Sequence, residues 1–530
     1  MRSLPQPSDR VPKILGADVE LANFLEGIDL PGGTGFAASR GLLREIDGVP
    51  SRNRRAGEEP SHATEWGRKF LPTCGGCAYI DSDHLEIALP ETASAHDHVA
   101  YWRGMLAVAR TAMAQLNRRL PPGCRAQVLA NCSDGLGNAY GSHVNVLLTR
   151  AAWENIIHRR PHYLAYLAAF QISSIVYTGQ GKVGGEHGRD HAGFQLSQRA
   201  DFFEILSGLD TMVHRGVVNT RDEPLCGDDT AAGQPLDPAL ARLHVIFYDS
   251  TLSQVATLLR AGTLQMVVAM IEAGWVDAEL SLDDPLDALA RWSGDPSLGA
   301  RARTTGGNDV TAVELQFDFL EEAKRFGDAG GFDGIVPRAA ELLALWEDTL
   351  AKLRRRDFDE LGRRLDWVLK RQMLQRVMAG RPHLTWASAE LKHLDQIFAS
   401  LEEDDGPFWA YERSGQVDRV VSDDDIAFAI QHPPEDTRAW TRTQLLRRAD
   451  RREVHKVDWD SVHLDVSGVA WGAGPRVVTL PDPSGSTRAA NAAIFDGHRS
   501  LNEIADALHA STGQAAGRVI QIVPQTYRYQ

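Results

Sequence analysis

Apolar and polar residues alternate along Lys13-Ile-Leu-Gly-Ala-Asp-Val-Glu-Leu21, the period of a half-buried strand. Alternation puts Asp18 and Glu20 on one face and Ala17, Val19 and Leu21 on the other. A second strand is predicted over 78–88, with Asp81 and Asp83 on one face and His84 and Glu86 on the opposite one. A bend or bulge there would gather both sets into one cleft. Further strands are predicted at 126–131, 141–149, 193–199, 214–219 and 242–248, with His143 and Asn145 sharing a face. Over 98–118 the spacing changes to three and four, and Trp102, Met105, Leu106, Ala109, Met113 and Leu116 form a helical stripe. Helices are also predicted at 161–178, 251–274, 310–326, 336–355 and 358–379, the last with its stripe at Leu361, Leu365, Val368, Leu369 and Met373. Residues 22–78, rich in Gly, Pro and Arg with little periodicity, read as loop or lid.

A chain of 530 residues exceeds one simple core. We divide it into a catalytic domain, 1–420, and a small C-terminal domain, 421–530. The net charge of −15, from 71 acidic and 56 basic residues, argues against nucleic acid as the main partner. The N-terminus lacks the apolar core of a signal peptide. The apolar run Tyr163–Tyr177, broken by Gln171, Ser173 and Ser174, falls short of a membrane helix. The expectation is a cytoplasmic protein without a membrane span. Five cysteines read as free thiols, and Cys74-Gly-Gly-Cys77 lacks the partners a structural zinc requires. Gly179-Gln-Gly-Lys182 lacks the spacing of a phosphate loop.

The chemistry concentrates on the strands. Carboxylates at Asp18, Glu20, Asp81 and Glu86 with imidazoles at His143 and His244 suit a hard divalent cation that also holds phosphate oxygens. Arg199, Arg221 and Arg242 would offset phosphate charge through their guanidinium forks. Each has a plainer reading: a solvated strand face, a hydrogen-bonded core histidine, a turn ion pair. Their recurrence on strands of one region is what favours the site.

The ordered motifs resemble the Pup ligase and depupylase (Pup deamidase) family of glutamine synthetase-like carboxylate–amine ligases. They are Gly16-Ala-Asp-Val-Glu20, Tyr79-Ile-Asp-Ser-Asp-His-Leu-Glu86, Asn138-Ala-Tyr-Gly-Ser-His-Val-Asn145, Leu196-Ser-Gln-Arg199, Asn219-Thr-Arg-Asp-Glu-Pro224, Arg242-Leu-His-Val-Ile246, Leu365-Asp-Trp-Val-Leu-Lys370, Pro433-Pro-Glu-Asp-Thr-Arg438 and Trp459-Asp-Ser-Val462. The resemblance implies an α+β fold, a curved antiparallel sheet backed by helices with a small C-terminal domain. It implies ATP (or ADP plus phosphate) and Mg2+ in a cleft on that sheet, and a small disordered Pup-like modifier as partner. Asp81 aligns with the catalytic aspartate; Asp18, Glu20, Glu86, His143 and His244 with the metal and phosphate region; Arg199, Asn219, Arg221, Arg242 and Arg438 with the nucleotide side. Departures are Asp18 for a glutamate, Val144 where the family strand carries a glutamate, and Leu85 and Leu89 around Glu86. Asp81-x-x-His84 and Gly193-Phe-Gln-Leu-Ser-Gln-Arg199 favour the depupylase branch, which hydrolyses the bond at the modifier's C-terminal Glu or Gln. The short segment between Glu20 and Asp81 leans to the ligase branch, which forms that bond through an acyl phosphate. A non-catalytic modifier-binding homologue is the third reading. Lys370, Arg371 and Arg376, with Arg354–Arg356, would meet the modifier's acidic side chains or form local ion pairs.

Overall fold

The computed structural model describes residues 10–51, 65–188, 193–226, 239–464, 476–497 and 499–511. Its main sheet uses β1 (Leu15–Glu26), β2 (Val49–Pro50), β3 (Trp66–Phe70), β4 (Cys77–Asp81), β5 (His84–Ala88), β6 (Arg125–Leu129), β7 (Ser142–Thr149) and β8 (Leu240–Val245). The order is β8-β7-β1-β5-β4-β3-β2, with β6 on the second half of β1. Every pairing is antiparallel. The alternation read from the sequence appears directly in β1: Leu15, Ala17, Val19 and Leu21 are buried while Gly16, Asp18 and Glu20 are partly exposed.

Helices α1 (Gly35–Glu45), α2 (Ala95–Asn117), α3 (Pro161–Thr178), α4 (Gln254–Glu272), α5 (Ala312–Asp328) and α6 (Ala339–Arg355) share one apolar core with the buried side of the sheet. In α2 the predicted stripe of Trp102, Met105, Leu106, Ala109, Met113 and Leu116 is buried, and the Trp102 indole donates to Thr251 O at 2.9 Å. Helix α4 is the one described helix long and apolar enough to cross a membrane, and the whole of it lies inside the protein.

Several expectations shift. The run 78–88 is not one strand but a hairpin, β4 and β5 joined at Ser82 and Asp83, with Asp81 facing His84. The supposed loop 22–78 holds the end of β1, helix α1, and strands β2 and β3; positions 52–64 lie outside the described residues. The single helix predicted over 358–379 breaks into α7 (Phe358–Gly362) and α8 (Asp366–Gly380). Asp366 sits at that break because its carboxylate accepts from the Leu252 and Ser253 amides. Of the strand predicted over 193–199, only Phe194–Gln195 pairs. Lys370 is no surface contact: it is buried, paired with Asp395 at 2.8 Å.

Helix α9 (Asp423–Gln431) packs on α2, where Gly104 leaves room for the side chains of Ile430 and Ala429. A second apolar core follows, from α10 (Arg438–Arg448), β9 (Val454–Val457), β10 (Ser461–Leu464), β11 (Arg476–Thr479), α11 (Arg488–Phe495) and α12 (Leu501–Ser511). It also takes in Val49, Phe70, Cys77, Tyr79 and Ala88 of the main sheet, so it sits against β2–β5. Glu91, just past β5, fastens the two: Arg438 Nε donates to it at 2.7 Å and Arg442 Nη2 at 2.6 Å.

Candidate active site

The face of the main sheet turned away from helices α2–α4 floors a cavity of about 880 Å3. Strand register decides what meets there. Asp18 lies opposite His143, Glu20 opposite Glu86, Tyr79 opposite Glu86, and Asn145 opposite His244. Strands contribute every second side chain to one face, so five strands deliver a compact polar floor.

On the β7–β8 side the groups are chained. Nδ1 of His143 lies 2.6 Å from Asp18 Oδ2, and Asn145 Nδ2 donates to Asp18 Oδ1 at 3.1 Å. Asn145 Oδ1 in turn lies 2.8 Å from His244 Nδ1 and accepts from Arg242 at 2.8 Å. Arg242 Nη1 also lies 3.1 Å from His244 Nδ1, so that nitrogen faces both an acceptor and a donor. His244 Nε2 is buried and without a partner. Burial alone would raise the Asp18 carboxyl; His143, then His244 and Arg242, override it and hold it well below the usual carboxylate range. His244 is held neutral, lowered well below its ordinary value by burial and then by Arg242 and His143.

On the β4–β5 side carboxylates crowd together. Tyr79 donates to Glu86 at 2.6 Å. Burial, then Asp18, Glu20 and Asp81, push the Glu86 carboxyl well above its usual range. Asp81 is raised by burial and then by Glu20, and accepts from Ser82 at 2.9 Å. The turn that presents Asp81 has two consecutive left-handed residues, Ser82 (φ 44°) and Asp83 (φ 74°). Asn23 pins it by donating to Asp83 O at 3.1 Å and accepting from Leu85 N at 2.7 Å. Asp83 therefore does not join Asp81 as the single-strand reading implied; His84 and Glu86 do.

Arginines line the same cavity. Arg199 and Arg215 are buried, line the cavity, and pair with no carboxylate among the described residues. Arg199 donates instead to Tyr140 O, and Arg215 to Ala139 O at 2.5 Å. Burial, with Arg199 alongside, brings Arg215 down to about 10. Arg221 lines the wall 3.8 Å from Glu223. Arg242 is partly neutralised by Glu223 at 3.2 Å, and Arg438 by Glu91.

A sequence profile of the family described as Pup-ligase protein matches residues 38–463. The chain belongs to this Pup-ligase family. It is 33% identical over 462 residues to the depupylase of Acidothermus cellulolyticus, covering 86% of each chain. It is 33% identical over 439 residues to the Pup deamidase/depupylase of Mycolicibacterium smegmatis, covering 83% of each. To the Pup–protein ligase of Kineococcus radiotolerans it is 32% identical over 428 residues, 79% of this chain and 88% of the relative. In structure it resembles the ligase PafA from its complex with the prokaryotic ubiquitin-like protein Pup, with a TM-score of 0.74, 21% identity, and 94% and 92% of the two chains covered. That likeness bears on the fold, which is the antiparallel sheet backed by helices that the motifs implied.

For this Pup-ligase family chain, ten of the eleven predicted site residues line the cavity: Asp18, Glu20, Asp81, Glu86, His143, Arg199, Arg221, Arg242, His244 and Arg438. Asn219 does not. Its amide donates to Gly208 O and Leu209 O, and its Oδ1 accepts from Arg221 N at 3.0 Å, so it shapes the loop that carries Arg221. Val144 is buried on the helix side of the sheet, so the carboxylate missing from the motif is missing from the core side, not from the cavity floor. Gly141 is demanded by space: a Cβ there would fall 2.4 Å from His143 Nε2 and 2.8 Å from Glu20 Oε1. Arg215, Tyr140, Arg68 and Trp459 also line the cavity and were missed. Arg215 opens a strand whose residues are all buried, so no alternation marks it.

Among the described residues no three His, Cys, Asp or Glu side chains form a ready-made metal shell. What the floor offers is an incomplete one. Carboxylates at Glu20 and Glu86 press on each other without a cation, and His244 Nε2 is unpartnered. Magnesium bound through one or two carboxylates and completed by phosphate oxygens fits such a set.

Proposed function

We propose that this protein is an ATP- and Mg2+-dependent amide hydrolase of the depupylase/deamidase kind, acting at the C-terminal Glu or Gln side chain of a small Pup-like modifier. The observation that carries the reading is the convergence on one cavity of Asp81, Glu20 and Glu86 with Arg199, Arg215 and Arg221. The relatives named depupylase, aligned over most of the chain, support the branch.

Glu20 and Glu86 would hold the cation, which supplies positive charge to nucleotide or phosphate oxygens. Arg199 and Arg221, lining the same cavity, would stabilise negative charge on the reacting centre. Asp81, ionised, takes a proton from water as the oxygen attacks the side-chain carbonyl carbon. The C–N bond breaks, and the proton leaves with the amine or ammonia. Burial, and then crowding by Glu20, makes Asp81 a better base than an exposed aspartate.

A modifier joined to a fluorophore through its terminal glutamine tests this. With ATP and magnesium the wild type releases the dye, and Asp81→Asn loses turnover by 10^2-fold or more, in the range of general-base removal, while still binding ADP. A fully active Asp81→Asn removes that residue from the chemistry. The ligase reading has its own support in the short segment between β1 and Asp81 and in the Kineococcus relative. It predicts no dye release, stoichiometric ATP consumption and a mass increase on a lysine-bearing target.

A further inference from the structure

Behind the arginine wall, and outside the cavity lining, lies a buried cluster around Lys182. Its ammonium donates to Asp201 Oδ2 at 2.7 Å, Glu186 Oε2 at 3.0 Å and Gln198 O at 3.2 Å. All four side chains are buried. Glu186 reaches the other way: its carboxylate accepts from Ser133 Oγ at 2.5 Å and from Gly137 N at 2.9 Å. Ser133 and Gly137 belong to the loop 131–141, and Tyr140 of that loop gives its carbonyl oxygen to the Arg199 guanidinium. The amides of Gln198 and Arg199 are held by Asp249 at 2.8 and 3.2 Å.

Lys182 and Glu186 thus grip both ends of Arg199. Through Gln198 O the cation fixes the peptide that Arg199 leaves from. Through Glu186 and the 131–141 loop the same cluster fixes the carbonyl that aims its guanidinium. A buried ammonium between two carboxylates holds such a geometry because without it two buried carboxylates would face each other uncompensated. The Gly-Gln-Gly-Lys182 sequence, no phosphate loop, acts one layer back.

We infer that Lys182 and Glu186 are positioning residues for Arg199, setting the affinity of the cavity for phosphate-bearing ligands without touching them. The inference rests on the reading that Arg199 faces phosphate. The test is calorimetric titration of the full-length protein with ADP plus inorganic phosphate and magnesium, on Ser133→Ala, Glu186→Gln and Arg199→Ala, and on each of the first two combined with Arg199→Ala. Ser133→Ala removes the bond to Glu186, together with the one Ser133 Oγ accepts from Gly135 N at 3.0 Å, and spares the buried charges. Its dissociation constant should rise about tenfold, the loss of one good hydrogen bond to a charged group. In the Arg199→Ala background neither substitution should weaken binding further, a non-additivity that general loosening of the fold would not produce. Thermal melts keep Glu186→Gln interpretable, and Ser133→Ala stands if Glu186→Gln fails to fold. Unchanged affinity in Ser133→Ala, or independent and multiplying effects with Arg199→Ala, overturns the inference alone. Wild-type protein that binds no ADP at millimolar concentration overturns the nucleotide reading and this inference with it.

Discussion

Gly141 shows how much depends on a missing side chain. His143 Nε2 and Glu20 Oε1 both come within 3 Å of where its Cβ would be, and the imidazole, held on Asp18 through Nδ1, has little room to yield. Gly141→Ala should push the imidazole off Asp18 and shift Glu20. The expected result is a fall in kcat of at least tenfold with a melting temperature within a few degrees of wild type, read by dye release and calorimetry. Equal activity in the alanine variant would show that the floor tolerates the displacement. At this scale the sequence was legible wherever alternation applied. Asp18, Glu20 and His143 were readable because a strand's odd and even residues face opposite ways, whereas His244, on a strand buried at five of six positions, was reached through its motif. Arg215 was not, since a strand buried on both faces carries no such mark, and Asn219 was misread because its motif neighbour Arg221, not its own amide, reaches the cavity.

At the scale of elements, the β4–β5 hairpin decides the position of Asp81. Two adjacent left-handed residues suit a two-residue turn, but Ser and Asp are poor choices beside Asn-Gly. Asn23 compensates with bonds to both sides of the turn. Asp83→Gly should therefore stabilise the protein by roughly 1 kcal/mol, the cost of a left-handed non-glycine residue, and raise the melting temperature by a degree or two. Asn23→Ala should cost about 1–3 kcal/mol by orphaning the Leu85 amide and reduce kcat, because Asp81 loses its anchor. A destabilised Asp83→Gly would mean that the aspartate side chain contributes more than its backbone strain removes. The hairpin was invisible to pattern reading for a physical reason. Asp81-Ser-Asp-His84 is an unbroken polar run that breaks the alternation, but neither turn residue is a glycine or proline to mark the reversal.

For the molecule as a whole, Glu91 is the fastening between two cores. Burial alone would raise its carboxyl, but Arg442 and Arg438 bring it down to about 2. A carboxylate depressed from about 4.5 in the unfolded chain stabilises the fold fully above pH 4.5, and that contribution fades as pH falls toward 2. The shift corresponds to about 3 kcal/mol. Hydrogen exchange, corrected for intrinsic rates, should show α10 losing roughly thirtyfold protection between pH 6 and pH 3, while α4 keeps most of its own. Equal losses in both helices would argue against a local fastening. Glu91→Gln should show the loosened α10 already at pH 6.

The second core also supplies Trp459 and Arg438 to the cavity wall. A wall borrowed from a separately nucleated layer can come away while the rest stays folded. In a urea series, ligand binding should vanish at lower denaturant than the far-ultraviolet helical signal. A sample could then look intact by ellipticity and yet be silent in any assay that needs the closed pocket.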